Sequence, residues 1–521
     1  MSADSGLTFV LANMRTQWPK FREILLLLLL LTAATGYRWI ALSGEAAPPG
    51  SDGGNWLAFG AELFDERVKA AAAAYPPIFP LLVHGFVVVL SPLVALKILG
   101  LLSGAVVSIG AYLLLRQALP WGLAGILATV LSLADYQTEV LAWGGYPQLL
   151  GAALLLVAVF LLLQGLHTGK FKYFMWSALA GAFTVATHLL GAYQFLLTTV
   201  IAMAAYYYGW KPYLTQNESG IRRRLVVLWI AVTMILTLAT LPFYVRMISY
   251  WAGIPANPHG LNLVRFLENI GSWRTESYMW LAVAVVVIPV LVWSVYRRER
   301  MLLAEGALAL VGAALFGLII QNEVRSIHML QVGLVLSVGV ALARMLGSHT
   351  QLILRTVRLG APHAAIALAI IFVGTVGFFG DQRSNVAFDW YRVIDDEALE
   401  GLEWMRIRGE KENRVVANET PRGGIYGWWV EGYAGLPTYF AVDTRWLSFR
   451  EEKDQAEVAH RMLSADISAL EMSRLAEANR IKFLFLDKRT LLIPQGRLEK
   501  AGFELGLENE LIQVFVYNAG G

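Results

Sequence analysis

The stretch SDGGNWLAFGAELFDERVKAAAAAYPPIFP, Ser51–Pro80, follows the first apolar span of the chain and precedes all the others. Asp52 stands here in a glycine-rich turn, an amphipathic segment follows it, and the stretch closes with a Tyr-Pro-Pro sequence at 75–77. An acidic residue just beyond a membrane span, beside a helix that would lie in the interface, indicates chemistry at the membrane surface. Asp52 taken alone is explained at least as well as the N-cap of a helix over Asn55–Phe64.

Composition defines the class of protein. Hydrophobic residues make up 57% of the chain and charged residues only 16%, whereas soluble globular proteins carry about 25% charged residues. The chain is therefore expected to be integral to a lipid bilayer. The net charge of +3 is spread between the spans, which argues against nucleic acid as a partner. The chain has no cysteine, which excludes disulfides and thiol chemistry.

Apolar runs of roughly 20 residues predict membrane-spanning helices. The predicted spans are residues 23–42, 94–116, 120–134, 148–165, 173–188, 190–208, 225–245, 278–296, 303–320, 326–346 and 362–380. If the short apolar run Val83–Leu90 does not cross, roughly sixteen basic residues lie on the side of the N-terminus and roughly eight on the other, as the positive-inside rule requires. This parity predicts a multi-pass protein of the cell (inner) membrane, with a cytoplasmic N-terminus and an extracytoplasmic C-terminal segment.

The composition changes after residue 380, which divides the chain into a transmembrane domain (1–380) and a soluble domain (381–521). The second domain alternates predicted strands and helices, the pattern of one α/β unit. Its predicted helices are Asp395–Arg408, Glu451–Ser464 and Ile467–Asn479, and its predicted strands are Arg414–Ala417, Lys482–Leu486 and Leu511–Tyr517.

The second loop on the side of Asp52, residues 135–147, offers two further carboxylates. Asp135 and Glu139 are four residues apart, so a helical turn would place both on one face. Paired carboxylates can hold a divalent cation such as Mg²⁺ or Mn²⁺, or divide acid and base roles between them. The alternative is a solvated loop whose Trp143 and Tyr146 belong to the interfacial aromatic belt. These two aromatic residues are also candidate sugar contacts.

The loop between the ninth and tenth predicted spans holds the densest polar cluster, QNEVRSIH at residues 321–328. Arg325 suits the phosphate of a lipid-linked substrate, because a guanidinium binds phosphate oxygens in a bidentate manner. The alternatives are an internal pair with Glu323 or an arginine that snorkels to the interface. Glu323 is also an acid/base or metal candidate, and His328 is a second candidate for the phosphate.

Two further residues on the same predicted face are weaker candidates. His188, at the end of a span, could bind a phosphate, although a lone histidine in an apolar run is more often a hydrogen-bonded structural residue. Glu276 lies in loop 246–277, whose prolines and glycines make it a candidate cover for a site.

A glycine- and aromatic-rich segment, Glu419–Tyr433, stands out in the soluble domain. Trp428 and Trp429 could stack on the apolar faces of sugars, and Glu431 could bond sugar hydroxyls. The tryptophan pair could equally pack the domain onto the membrane surface, and the two roles are compatible.

This arrangement resembles the GT-C superfamily of membrane glycosyltransferases. Asp52, the interfacial segment before Tyr75, and the second-loop carboxylates match that superfamily in position. The sequence WWVEG at 428–432 is similar to the Trp-Trp-Asp-Tyr-Gly motif of oligosaccharyltransferase catalytic subunits, with Val430-Glu431 in place of Asp-Tyr.

The resemblance implies a polytopic helical fold with interfacial helices in the first outer loop and an outer C-terminal domain. It implies a hexosyl- or pentosyltransferase that takes its sugar from a polyprenyl-phosphate-linked donor and passes it to a glycan, lipid or protein acceptor. Asp52 would be the general base, Arg325 would hold the departing phosphate, and Tyr75 would contact the sugar or acceptor. The alternatives are a transporter or flippase of lipid-linked sugars and a non-catalytic, glycan-binding membrane scaffold.

Overall fold

The computed structural model describes residues 23–50 (without 26, 30, 34, 37, 40 and 41), 52–63, 75–188, 190–210, 215–251, 275–297, 301–321, 325–348, 388–421, 423–441, 450–491 and 493–518. The predicted span 362–380, the predicted domain boundary at 380 and Glu323 lie outside these residues. The side chains of Asp135 and Glu276 are also outside the description, although both residues lie in helices.

The part before residue 349 is helical. Its helices are α1 (Asp52–Glu62), α2 (Ile78–Val89), α3 (Pro92–Leu115), α4 (Trp121–Ser132), α5 (Asp135–Trp143), α6 (Tyr146–Thr168), α7 (Phe171–Thr187), α8 (Gly191–Trp210), α9 (Gln216–Leu238), α10 (Leu241–Trp251), α11 (Thr275–Arg297), α12 (Met301–Gln321) and α13 (Ser326–Ser348). The apolar helix Glu23–Ala33 precedes them.

Three helices in the described part are long and apolar enough to cross a membrane: Pro92–Leu115, Tyr146–Thr168 and Ser326–Arg344. Helix α2, which contains the run treated above as non-crossing, has 12 residues and rises about 18 Å, short of the roughly 30 Å of hydrocarbon. Helix α4, predicted as a span, also has 12 residues. Helix length therefore does not show which of these two helices crosses the membrane. The count of eleven spans stays a prediction, and so does the orientation that follows from the positive-inside rule.

The predicted span 225–245 is two helices in the structure. Helix α9 begins at a capping box, in which the Thr215 hydroxyl accepts from the Glu218 amide and the Glu218 carboxylate accepts from the Thr215 amide. It ends before Ala239, and α10 starts at Leu241. The apolar run continues across the break, so hydropathy alone could not show it.

The centre of the helical part is α6, which packs against α3, α7 and α8. Small residues allow these close approaches: a methyl group on Gly110 would lie 2.8 Å from the Leu156 side chain, and one on Gly165 would lie 2.9 Å from the Phe174 ring. The hydrophobic core of these helices continues into the C-terminal part through Trp429.

The C-terminal part is an α/β unit, as predicted. Its elements are α14 (Asp396–Arg408), β1 (Arg414–Ala417), α15 (Tyr426–Trp429) with a following π turn (Val430–Ala434), β2 (Thr438–Phe440), α16 (Arg450–Met462), α17 (Ala469–Ala478), β3 (Ile481–Asp487), α18 (Gln495–Lys500), β4 (Phe503–Glu508) and β5 (Ile512–Tyr517).

One five-stranded sheet in the order β2-β1-β3-β5-β4 organises this unit. Strand β1 is parallel to β2 and β3, whereas β5 is antiparallel to β3 and β4. Both faces of β3 are covered: Phe483 and Phe485 point into the core shared with the helices, and Leu484 and Leu486 into a separate core under α16 and α17. This double burial explains why β3 reads as an almost continuous apolar run. The predicted helices and strands of the unit are confirmed, whereas β2, β4 and the short helices α15 and α18 were missed.

Candidate active site

Asp52 is the first residue of α1, and its side chain is partly exposed. The turn that ends α5 lies against it: a methyl group on Gly144 would sit 3.1 Å from the Asp52 Cβ and 3.2 Å from the Gly53 amide nitrogen. Gly144 has a φ of +92°, a left-handed conformation that glycine adopts without strain. The first and second loops therefore meet at Asp52.

Gly50 lies two residues before Asp52, and three other segments of the chain contact it. Its amide donates to the Tyr391 carbonyl at 2.9 Å, and its carbonyl accepts from the Trp429 indole at 3.2 Å. Its φ is +98°, and a methyl group there would lie 2.4 Å from the backbone carbon and oxygen of Trp143. Position 50 thus has room for glycine and no larger residue.

An aromatic cluster packs on the buried side of α1. The Trp56 indole donates to the Gly144 carbonyl at 2.6 Å, and its ring lies 4.9 Å from that of Tyr75 and 5.6 Å from that of Phe79. Tyr75, only 8% exposed, is part of this cluster. The cluster ties the Tyr-Pro-Pro sequence to the helix that begins at Asp52.

The pKa of the Tyr75 hydroxyl depends on two charged residues of the candidate site. Burial raises the pKa of Tyr75 well above its usual value, the positive charge of Arg325 opposes this rise, and the negative charge of Asp52 adds to it. A carboxylate and a guanidinium therefore both lie within electrostatic reach of one hydroxyl. Arg325 is exposed, immediately before α13. Asp52 and Arg325 thus both lie close enough to Tyr75 to shift the pKa of its hydroxyl.

The two histidines occupy buried positions. His328 is 1% exposed, and its Nε2 pairs with the side-chain amide of Gln137. His188 is 7% exposed, and its Nδ1 accepts from the Leu190 amide at 3.3 Å. The bond of His188 fits the alternative stated above, a hydrogen-bonded structural histidine. The phosphate role of both residues stays a prediction.

The carboxylates of the second loop lie on α5, which places Asp135 and Glu139 one turn apart on one helix. Glu139 is half-buried and accepts from the Tyr391 hydroxyl at 3.1 Å. Tyr391 also packs edge-on against Trp143, at 6.1 Å between ring centroids. Within the described residues no three histidine or acidic side chains gather as metal ligands would. A divalent cation at this site stays a prediction.

Tyr146, the first residue of α6, is completely buried. Its hydroxyl has no hydrogen-bond partner among the described residues. A buried hydroxyl left unpaired costs about 1–3 kcal/mol, so a polar partner for this oxygen would be stabilising. This keeps Tyr146 as a candidate contact for a polar substrate group.

The WWVEG segment lies directly on α1. Trp429 is completely buried, whereas Trp428 is partly exposed and packs near Phe440. The Glu431 carboxylate accepts from the Thr438 amide at 3.1 Å. Trp429 in this position offers no open face to a sugar, in contrast to the role predicted for it. Of the two tryptophans, Trp428 is the one that a ligand could reach.

Sequence reasoning missed the glycines at which the loops meet. A methyl group on Gly432 would lie 2.0 Å from the Gly54 carbonyl oxygen, so the two backbones touch. The only signal for these contacts was the presence of glycine pairs, at 53–54 and 144–145, in two loops predicted to share a face.

No protein-family model matches the chain, and no curated protein sequence matches it. The fold is similar to that of the archaeal oligosaccharyltransferase AglB from Archaeoglobus fulgidus, solved with an inhibitory peptide and a dolichol-phosphate: the TM-score is 0.50 at 13% identity, over 91% of this chain and 70% of that one. It is also similar to ArnT from Cupriavidus metallidurans bound to undecaprenyl phosphate, with a TM-score of 0.54 at 13% identity over 95% of this chain and 98% of that one.

A third similar structure is the mycobacterial arabinofuranosyltransferase AftD, with a TM-score of 0.57 at 14% identity over 95% of this chain and 41% of that one. All three are GT-C glycosyltransferases. The chain therefore has a GT-C-like fold, which confirms the architecture that the resemblance implied. Identities this low establish the fold and carry no activity with them.

Proposed function

We propose that the chain is a membrane glycosyltransferase that moves a sugar from a polyprenyl-phosphate-linked donor to an acceptor on the extracytoplasmic face. The proposal is supported by the charges that act on the buried Tyr75 hydroxyl: the negative charge of Asp52 raises its pKa and the positive charge of Arg325 lowers it. The loop contact between Gly144 and Asp52 supports it as well. Glycosyl transfer from a phosphate needs both groups: a base for the acceptor and a cation for the leaving phosphate.

In the proposed reaction, the Asp52 carboxylate takes the proton of an acceptor hydroxyl as its oxygen attacks the anomeric carbon. A bond forms between that oxygen and the anomeric carbon, and the bond from this carbon to the phosphate oxygen breaks. The electron pair leaves on the phosphate, where Arg325 stabilises the added negative charge. Asp52 and Arg325 both have exposed surface, so substrate can reach them.

The structural neighbours support a lipid-linked donor. AglB was solved with a dolichol-phosphate and ArnT with undecaprenyl phosphate, so the same fold accommodates polyprenyl phosphates in two proteins. We assign the donor of this chain to that class. AglB was also solved with a peptide, which keeps a protein acceptor in consideration beside glycans and lipids.

Trp143, Tyr146, Trp428 and Glu431 are the proposed contacts for the sugar or the acceptor. Trp143 and Trp428 are partly exposed, and the buried Tyr146 hydroxyl bonds to no described residue. Glu431 keeps this role only through a carboxylate oxygen that the Thr438 amide does not occupy.

The test uses purified protein in lipid, a panel of radiolabelled polyprenyl-phosphate sugars and a crude membrane-glycan acceptor. Wild type is compared with Asp52→Asn and with Asp466→Asn, the latter an exposed carboxylate of the α/β unit outside the candidate site. We expect transfer by wild type and Asp466→Asn and none by folded Asp52→Asn. Equal transfer by all three proteins would remove Asp52 from the mechanism. Movement of the intact donor across the bilayer without transfer would favour the transporter.

A further inference from the structure

We infer that the segment Tyr426–Ala434 of the α/β unit is a positioning element for the loop that carries Asp52. We call this segment the clamp. The inference rests on the proposed function in that it assigns Asp52 the role of base. It goes further by giving Trp429 and the backbone of the WWVEG sequence the task of holding the base, where the sequence predicted that Trp429 stacks on a sugar.

The first contact is a buried hydrogen bond from the clamp to the loop. The Trp429 indole donates to the Gly50 carbonyl at 3.2 Å, two residues before Asp52. Trp429 is completely buried and Gly50 is also buried. Water therefore cannot replace the bond if it breaks, and the free carbonyl would stay unsatisfied.

The second contact is backbone packing on α1. A methyl group on Gly53 would lie 2.8 Å from the Trp429 ring, and one on Gly54 would lie 2.6 Å from the backbone carbon and oxygen of Trp428. From the other side, a methyl group on Gly432 would lie 2.0 Å from the Gly54 oxygen. Glycines on both surfaces let the backbones touch, so a displacement of the clamp displaces α1 as well.

The clamp is in turn fixed to the sheet. The Tyr426 hydroxyl donates to Oδ2 of Asp487 at 2.8 Å, and Asp487 is completely buried at the end of β3. Arg489 bonds the same carboxylate at 2.6 Å and the Tyr426 oxygen at 3.1 Å. At the far end of the clamp, the Tyr433 hydroxyl donates to Glu403 at 3.0 Å.

A chain of contacts therefore runs from the sheet to Asp52. The strand end at Asp487 holds Tyr426, the short helix that begins at Tyr426 carries Trp429, and Trp429 holds Gly50. A segment whose polar side chains bond to its own domain and to the loop is built to hold its neighbours in place. Within the clamp, the completely buried Trp429 holds the loop, whereas the partly exposed Trp428 remains the proposed ligand contact.

The test measures transfer kinetics and amide hydrogen exchange in Gly432→Ala, which forces the clamp off Gly54. Gly496→Ala is the matched control, because a methyl group there meets nothing within 4 Å in the same domain. Since a displacement near 1 Å can cost about 100-fold in rate, we expect kcat to fall about 10- to 100-fold in Gly432→Ala. The KM for acceptor should stay within about twofold, and exchange over residues 47–62 should become faster.

A rise in acceptor KM with unchanged kcat would overturn the inference and return the clamp to acceptor binding. Unchanged exchange over residues 47–62 in Gly432→Ala would overturn it as well, and this readout needs no activity. Asp52→Asn could transfer at the wild-type rate while Gly432→Ala still speeds exchange over residues 47–62. That result would support the clamp as a positioning element and would contradict the proposed role of Asp52 as base. Trp429→Phe, which removes the indole donor and keeps an aromatic ring, repeats the test should Gly432→Ala not fold.

Discussion

Replacement of Gly50 by alanine tests whether the loop that carries Asp52 is held as the structure shows. Two costs act at this position. The φ of +98° lies in the left-handed region, which costs a residue with a Cβ about 1–2 kcal/mol. The new methyl group would also lie 2.4 Å from the Trp143 backbone, and relief of such overpacking typically costs about 1–3 kcal/mol. We expect a total loss of about 2–5 kcal/mol in stability.

Gly169→Ala separates the two costs. Gly169 has a φ of +67°, but a methyl group there meets nothing within 4 Å. This control should therefore lose only about 1–2 kcal/mol and should keep its transfer activity, because Gly169 ends α6 away from the candidate site.

The assay is thermal unfolding of both variants in lipid, followed by the tryptophan fluorescence, together with transfer rates below the unfolding temperature. Gly50→Ala should melt below Gly169→Ala, and its transfer rate should fall about 100-fold because Asp52 is displaced. Wild-type transfer and the same melting temperature as Gly169→Ala would refute the packing of Gly50 against Trp143.

Three further predictions concern other parts of the molecule. Asp487→Ala removes the acceptor of the buried Tyr426 hydroxyl and should cost about 1–3 kcal/mol in thermal unfolding of the full chain; an unchanged melting temperature would contradict this. Tyr75 has a folded pKa above its unfolded value of about 10, so its stabilisation is complete below pH 10 and is lost as the pH rises through the folded value. The melting temperature should therefore fall above pH 10, and less steeply in Tyr75→Phe; equal slopes would exclude a contribution from Tyr75. Glu305→Ala removes the carboxylate that pairs with His167 at 2.7 Å and should destabilise by about 1–3 kcal/mol, whereas Glu305→Gln keeps a hydrogen bond and should recover most of the loss; equal melting of the two variants would show that the bond is not needed.

The sequence predicted the α/β unit well because its elements carry strong local signals. The apolar run that predicted a strand at Lys482–Leu486 became β3, and the predicted helix at Asp395 begins where the Asp395 carboxylate caps the Ala398 amide at 2.8 Å. Strand β2, Thr438–Phe440, was missed because three residues show no periodicity. The break between α9 and α10 was missed because apolar residues lie on both sides of it.

The candidate site was predictable in its charged groups and not in its contacts. Asp52 and Arg325 stand out in loops that the parity argument assigns to one face. The packing that orients Asp52 depends on Gly50 and Gly144, and a glycine in a loop gives no sign of which backbone will approach it. Trp429 was predicted to contact sugar and is completely buried. An aromatic side chain suits both environments, so its burial depends on the tertiary fold.

The most direct test of the account is the transfer rate of Asp52→Asn at saturating donor, measured beside donor binding by the same protein. Asparagine keeps the shape of the side chain and removes the base. A general base typically contributes about 10²- to 10⁴-fold to the rate. We predict a loss of that size with donor affinity unchanged within about threefold, a split that assigns the effect to the chemical step. Transfer within about threefold of wild type would contradict the role of Asp52 as base, because a general base typically contributes at least about 100-fold.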